Sequence, residues 1–393
     1  MTRLCFIVDS GTDVRLAEAL ARRTSMRLIA RRLANGRHIS QATSQPVDVE
    51  VGPAGHLAFA VFAFRRLLAL RRDLDVVIVQ GYGPTAAFAN IAGWLTGCWV
   101  LMLVCSPVEA YYQCRKLGQS GRPFRRAEYL AIRMFGFLNA WLGHGYVVLS
   151  PYLASVVRAY RTTRPIAVIP VYGVDRELFR PALESKDVIR RRLGLPVDAP
   201  IVFFSSRVAP EKDAETVLRA VGLLADAGRP VFLLHRSGGH REFTTLAETM
   251  GVRQHVIAED AVPPFEQLAD LYRASDVCVQ SSREEGLGFS PLEALACGVP
   301  VIATAVGGLN DTIRSGDTGW QVPPGDAETL AAAVIQVLDD PEESARRTAR
   351  GAEQVARIYD SRIVFNELVS LLGRTSGRAA KAAVEQSATS GGS

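Results

Sequence analysis

Glu285 and Glu293 stand eight residues apart in "SSREEGLGFSPLEALACGVPVIAT", residues 281–304. An ionised carboxylate only accepts hydrogen bonds, so such a pair can receive vicinal hydroxyls, which arrive as paired donors. Gly286 and Gly288 follow the first acid, with Leu287 between them and Phe289 after. Glycine lets a ligand approach the backbone closely. Pro291 and Gly298 bracket a helical run in the favoured order, proline near the start and glycine past the end. The glycines then fall where free N–H groups and the helix dipole favour phosphate or sugar oxygens. The dipole alone also favours an acid at a helix start, which is the plainer reading of Glu293 taken singly.

Such a loop needs a strand before it and a helix after it. Two series of short apolar runs provide for this. The first is "RLCFIVDSG" (3–11), "DVVIVQGYG" (75–83), "CWVLMLVCSP" (98–107), "YVVLSP" (146–151) and "IAVIP" (166–170); the second is "PIVFFSSR" (200–207), "PVFLLHRSGG" (230–239), "HVIAED" (255–260), "DVCVQSS" (276–282) and "VPVIAT" (299–304). Runs that are apolar throughout mark strands buried on both faces. Helical patterns such as "DVRLAEALARR" and "AETVLRAVGLLADAG" lie between them. Strand and helix in alternation give a parallel sheet covered on both sides. The expectation is an α/β chain of two doubly wound, Rossmann-like domains facing a cleft, with ligands at the carboxyl ends of the strands.

The 393 residues suffice for two cores. Cys5, Cys98, Cys105, Cys114, Cys278 and Cys297 have no ligand spacing, and the six histidines are scattered. The cysteines read as small apolar packers and a reducing cytoplasm as the compartment. The N-terminus has no apolar stretch of secretory type. Residues 84–108 carry no charge, but Asn90, Gly93, Thr96 and Gly97 interrupt them. A helix, a glycine stop and a buried strand account for them better than a membrane span. Residues 1–150 hold 18 Lys and Arg against 9 Asp and Glu, a balance of +9, leaving −4 for the rest of a chain whose net charge is +5. An anionic partner for the first half follows, unless these residues only solvate a face.

The stretch "EGLGFSPLEALACGVPVIATAVGG" resembles the signature of retaining glycosyltransferases of the GT-B fold, the large family-four group with its Glu-x7-Glu motif. Leu287 replaces the usual phenylalanine, and Asn310 and Asp311 stand where a later acid is expected. "VIPVYGVDRELFRP" (168–181) is similar to another family segment, with Tyr172 in place of asparagine. "SSRVAPEKDAETVLRA" (205–220) matches the family's Arg-x4-Lys pattern through Arg207 and Lys212. By that resemblance they grip the diphosphate of a nucleotide sugar. A planar guanidinium fork and a mobile ammonium suit the task. A surface pairing of Lys212 with Glu211 or Glu215, of little energetic consequence, is the alternative. Gly11 occupies the family's first phosphate-side or acceptor-side loop. Relatives place a histidine after the strand that ends here at Cys105; this chain has Ser106, Pro107 and then Glu109, which the resemblance makes a candidate base.

The resemblance implies an acceptor-side domain over residues 1–182 and a donor domain over 183–350, with a linker near 182–198. A helix near 351–372 is expected to pack back on the first domain, and 373–393 to be a disordered tail. It implies retention, with Glu285 on the transferred sugar, Glu293 on the ribose, and no cofactor or metal, since no Asp-x-Asp metal site is apparent. The expected partners are a nucleotide sugar, a lipid-linked glycan acceptor of bacterial surface polysaccharide assembly, and an anionic inner leaflet; nucleic acid is not expected. The stretches 55–73 and 122–143 are basic and aromatic, the composition of helices that lie in a membrane interface. Two other readings stand beside this one: a degenerate sugar-nucleotide binder, and a membrane-binding or nucleic-acid-binding module.

Overall fold

A computed structural model describes residues 2–9, 14–32, 47–117, 125–259 and 265–390. The chain forms two compact units. Unit 1 comprises residues 1–109, 125–173 and 362–393; unit 2 comprises 110–124 and 174–361.

Unit 1 is built from β1 (Arg3–Val8), α1 (Val14–Arg23), β2 (Ser25–Arg31), β3 (Asp48–Gly52), α2 (His56–Ala69), β4 (Val76–Gln80), α3 (Pro84–Thr96), β5 (Trp99–Val104), the first residues of α4 (Val108–Leu117), α5 (Arg126–Leu142), β6 (Gly145–Val148), α6 (Pro151–Arg158) and β7 (Ile166–Val168). Its seven strands are all parallel, in the order β3-β2-β1-β4-β5-β6-β7. The central strands are buried along their length, as their unbroken apolar runs require. The chargeless stretch 84–108 resolves into α3, Gly97 in the left-handed region (φ 72°), and β5. Among the described residues no helix is long and apolar enough to cross a membrane.

Strands β2 and β3 escaped the apolar-run criterion because each carries charge. Arg27 of β2 pairs with Asp48 of β3 at 3.0 Å, and Glu50 of β3 pairs with Arg66 of α2 at 2.7 Å. The stretch 55–73 largely turns inward: Phe59 and Leu67 of α2 are buried, and Phe64 meets Phe88 of α3 edge to face at 5.9 Å.

Unit 2 follows with α7 (Lys186–Arg192), β8 (Ile201–Phe203), α8 (Ala214–Asp226), β9 (Phe232–His235), α9 (His240–Thr249), β10 (Val256–Ala258), α10 (Phe265–Arg273), β11 (Val277–Gln280), α11 (Phe289–Ala296), β12 (Val301–Thr304), α12 (Leu309–Thr312), β13 (Trp320–Val322), α13 (Ala327–Asp339) and α14 (Pro341–Gln354). Its six parallel strands run β10-β9-β8-β11-β12-β13. The expected linker at 182–198 contains α7, and the chain passes between units after Gly173.

The C-terminal region corrects two expectations. Residues 351–372 are not one helix: α14 ends at Gln354, a π-type turn spans Val355–Tyr359, and α15 runs from Ser361 to Ser390. From Arg362 onward the chain belongs to unit 1, with Val364, Leu368 and Leu372 buried at successive four-residue steps. Residues 373–390, within the tail expected to be disordered, continue this helix. "GRAAKAAVEQ" is rich in strong helix formers, and an anchored helix needs no new nucleus to extend.

Candidate functional site

Numbering the strands of unit 2 from its own first, the sheet order is 3-2-1-4-5-6. The direction of winding reverses between β8 and β11, and ligands of open α/β sheets bind beyond the carboxyl ends of such a pair. Both charged loops singled out from the sequence lie there: Arg207 and Lys212 follow β8, and Glu285 follows β11.

The loop after β8 closes through a 3₁₀ turn, Pro210–Lys212, and Asp213 takes a left-handed backbone (φ 49°) before α8 starts. The loop after β11 packs tightly on the next loop of the sheet. Gly308 N–H donates to the Glu285 carbonyl at 2.9 Å, and a Cβ on Gly308 would stand 2.1 Å from the Gly286 carbonyl oxygen. Gly288, at φ 90° and pressed against Leu309, caps α11. The helix begins at Phe289, two residues before Pro291, so Glu293 sits in its second turn, not its first.

Two carboxylates organise the site. Glu285 is largely buried; it accepts from the Lys212 ammonium, from Tyr111 Oη at 3.2 Å and from its neighbour's backbone, Gly286 N–H, at 3.2 Å, with Gln280 Nε2 and Ser282 Oγ each at 3.4 Å. Glu211 is fully buried and accepts from Arg115 at 2.7 and 3.1 Å and from Arg207 at 2.8 Å. Burial by itself pushes the Glu211 carboxyl up, but the Arg115 hydrogen bond and the fields of Arg115 and Arg207 outweigh it, so the group titrates below its ordinary value. Burial and the nearby Glu285 charge push Tyr111 upward, which keeps its hydroxyl a donor. Lys212 therefore pairs with Glu285, and not with Glu211 or Glu215; Glu215 pairs with Arg219.

Glu293 is buried and accepts from Tyr272 Oη at 3.1 Å; the same hydroxyl lies 3.0 Å from Ser205 Oγ. The next residue, Ser206, donates to Gln280 Oε1 at 3.1 Å, and Gln280 reaches Glu285. The hydrogen-bond chains of the two glutamates thus end on adjacent residues, Ser205 and Ser206. The guanidinium of Arg207 is half exposed at its edge. The arrangement offers cations to an anionic group and carboxylates to hydroxyls within one loop cluster.

Sequence reading missed Glu211, Tyr111 and Arg115. Tyr111 and Arg115 lie four apart on α4, hence on one helix face, but their partners are 174 and 96 positions away. The structure does not bring Glu109 into this cluster. It stands in unit 1, accepting from Tyr160 Oη at 2.5 Å and Tyr129 Oη at 3.1 Å, with Arg133 at 4.0 Å. Gly11 lies outside the described residues. The corresponding switch point of unit 1, between β1 and β4, presents instead Asp9, bound by Arg31 at 2.6 Å, Thr85 Oγ1 at 2.6 Å and His56 Nδ1 at 2.8 Å. Nothing in the spacing of Asp9 marks it out. All six cysteines are free, and burial raises the thiol of Cys297, for one, to about 12, as suits apolar packing.

Comparison with known proteins places this geometry. Sucrose-phosphate synthase from Thermosynechococcus elongatus superposes with a TM-score of 0.77 at 22% identity, over 95% of this chain and 99% of that one. Anabaena HepE in complex with UDP and glucose gives 0.76 at 17% identity, over 95% and 100%. The fold is that of the GT-B glycosyltransferases. Residues 185–355 match the family model described as glycosyl transferases group 1, so the resemblance read from Glu285, Glu293, Arg207 and Lys212 holds for that segment. D-inositol 3-phosphate glycosyltransferase of Thermobispora bispora is 37% identical over 197 residues, 47% of this chain and 45% of that one. The enzyme of that name from Xylanimonas cellulosilytica is 38% identical over 203 residues, 49% and 48%. The chain spans about half the length of the curated relatives it matches.

Proposed function

We propose that the chain is a retaining glycosyltransferase of hexosyltransferase type, moving a sugar from a nucleotide-diphosphate sugar to an acceptor hydroxyl. The observation that carries the reading is the Lys212–Glu285 pair, buried at the switch point of unit 2 beside Arg207 and inside the segment that matches the glycosyltransferase family. Neighbours of the same fold bind UDP and UDP-glucose, which supports a nucleotide-sugar donor.

Donor ionisation leaves an oxocarbenium-like sugar and a growing diphosphate charge. Preorganised cations facing that charge are the largest catalytic contribution available. Arg207 and Lys212 supply them, and a divalent ion is not required. Lys212 is shared: Glu285 holds it until the diphosphate arrives, and the released Glu285 oxygen then accepts the sugar hydroxyls. Glu293, held by Tyr272, takes the ribose. Attack from the leaving-group face gives retention without a separate nucleophile. Glu109 orients the acceptor. The acceptor is a lipid-linked glycan of bacterial surface polysaccharide biosynthesis, and the enzyme works on the cytoplasmic side, peripheral to the inner leaflet; the excess of arginine in residues 1–150 supports an anionic partner there.

Binding and turnover test this directly. Arg207→Ala should weaken UDP, GDP or ADP, whichever binds, by about 1.5–3 kcal/mol without unfolding the protein. Glu285→Gln should lower kcat on the order of a hundredfold while changing nucleotide affinity much less. Unchanged nucleotide affinity in the first variant removes the diphosphate assignment. A wild type that binds nucleotide sugars but neither transfers nor hydrolyses them marks a binding protein.

A further inference from the structure

Helix α5 presents two faces. Inward lie Gly136, where a Cβ would strike the Tyr160 ring at 2.3 Å, and the buried Asn139 and Ala140. Outward, Leu130, Met134, Phe137 and Trp141 are 67, 55, 41 and 73% exposed. Their spacing of four, three and four places them on one stripe about 16 Å long. Trp94 and Leu95, at the end of α3, extend the patch and are 55 and 66% exposed. The two helices are tied here, because Trp94 Nε1 donates to the Leu142 carbonyl at 2.7 Å. A contiguous exposed apolar patch of this kind marks an interaction surface.

Arginines border it. The Arg133 guanidinium lies over the Phe137 ring at 5.9 Å. Arg164 lies over the Trp94 ring at 5.8 Å and reaches the Trp141 carbonyl at 3.4 Å. Arg126, one helical turn before Leu130, is exposed. The one acid on this part of α5, Glu128, faces away from the stripe and pairs with Arg125.

We propose that this α3–α5 face of unit 1 docks on an anionic lipid surface, with Trp94, Met134 and Trp141 entering the headgroup boundary and Arg126, Arg133 and Arg164 meeting lipid phosphates. Tryptophan and flanking arginine on one amphipathic surface suit the boundary between acyl chains and headgroups. A second copy of the chain fits less well, since symmetric pairing would bring two rims of arginine together. Of the two stretches singled out in the sequence, 122–143 supplies α5, whereas 55–73 takes no part: α2 buries Phe59 and Leu67 and pairs Arg66 with Glu50, and α3 contributes in its place without a charge of its own. The inference rests on the peripheral reading above, but it concerns binding alone and needs neither donor nor acceptor.

The test is sedimentation of the full chain with vesicles of phosphatidylglycerol and phosphatidylcholine, against phosphatidylcholine alone. The protein should pellet with the anionic vesicles at low salt and be released at high salt. Brominated phospholipid should quench its tryptophan fluorescence. Leu130→Ser, Met134→Ser and Trp141→Ser combined should lower the partition coefficient at least tenfold. Arg65→Ser with Arg71→Ser, on α2 and in the turn after it, should change it less than twofold. Circular dichroism and melting confirm that each variant is folded. A triple variant that pellets like the wild type overturns the face while leaving a peripheral enzyme. Recovery in the supernatant at low salt overturns both. A wild-type dimer that the triple variant converts to monomer, without lipid binding, assigns the face to a second copy.

Discussion

Unit 1 and unit 2 wind their sheets in the same order, so each has a switch point between its first and fourth strands. They use it differently. Unit 2 sets two buried carboxylates and three cationic side chains beyond β8 and β11. Among the described residues, unit 1 sets Asp9 there, already enclosed by Arg31, His56 and Thr85, and it carries the exposed tryptophans and leucines of α3 and α5 outside its core. The fold fixes where a ligand can sit; the side chains at that place decide whether chemistry follows. Unit 2 is the half with reactive groups assembled, and unit 1 is the half with an unpartnered surface.

The largest effect is expected where unit 1 depends on a remote part of the chain. Leu368 of α15 is fully buried, 195 positions after the preceding segment of its unit ends at Gly173, and lies between Val364 and Leu372 on one helix face. Leu368→Ala should cost about 2–5 kcal/mol. Because two units need not unfold together, hydrogen exchange is the measurement of choice. Protection should fall across β1, β4 and β5 and hold across β8, β11 and β12. Equal loss in both sheets would show the units to be one cooperative block and would dissolve the comparison.

A smaller effect should be confined to unit 2. Glu211→Gln removes a buried negative charge from Arg115 and Arg207, whose own side chains are half exposed and can be rehydrated. Loss of a buried partner costs up to about 5 kcal/mol, and rehydration should reduce this to roughly 1–3 kcal/mol. The pH dependence follows from the lowered titration of Glu211. Its contribution is fully present above the unfolded carboxyl value near 4.5 and is lost as pH falls through the folded value. Denaturant midpoints of wild type and variant should therefore converge on acidification below about pH 4.5. Midpoints that stay equally far apart throughout would mean that the loop geometry, and not the charge, makes the difference.

This contrast also governs what the sequence discloses. The motif of unit 2 is local: Glu285 to Glu293 and Arg207 to Lys212 each span one loop, flanked by strands whose apolar runs announce themselves. The partners that hold those groups are not local, as Tyr111 with Glu285 and Arg115 with Glu211 show, and no periodicity connects residues so far apart. In unit 1, charged strands β2 and β3 were hidden because their charges are neutralised across strands, a compensation visible only in three dimensions. The basic, aromatic character of α2 and α5 was legible, but not which helix faces outward. That depends on α2 lying against α3 and on Gly136 of α5 admitting Tyr160.

The smallest effect separates two histidines that match in titration but differ in setting. His144 in unit 1 and His235 in unit 2 are both lowered to about 4, in each case mainly by burial. His144 lies between Trp94 and Trp99, at 5.1 and 5.7 Å, and the Arg164 charge adds to its depression. His235 is fully buried, stacks on Phe243 at 4.1 Å and contacts the Phe204 carbonyl at 3.1 Å through Nδ1. The unfolded chain binds a proton near pH 6.5 that neither folded imidazole accepts until about 4. Each therefore withdraws stability as pH falls from 6.5 toward 4, and neither contributes to pH dependence above that window. Arg164→Ser should raise the titration of His144 and leave that of His235 in place, which imidazole resonances followed by NMR can resolve. A His144 that does not move owes its depression to burial alone. A His235 that moves with it would mean that Arg164 reaches the other unit, and the two halves would then be electrostatically coupled.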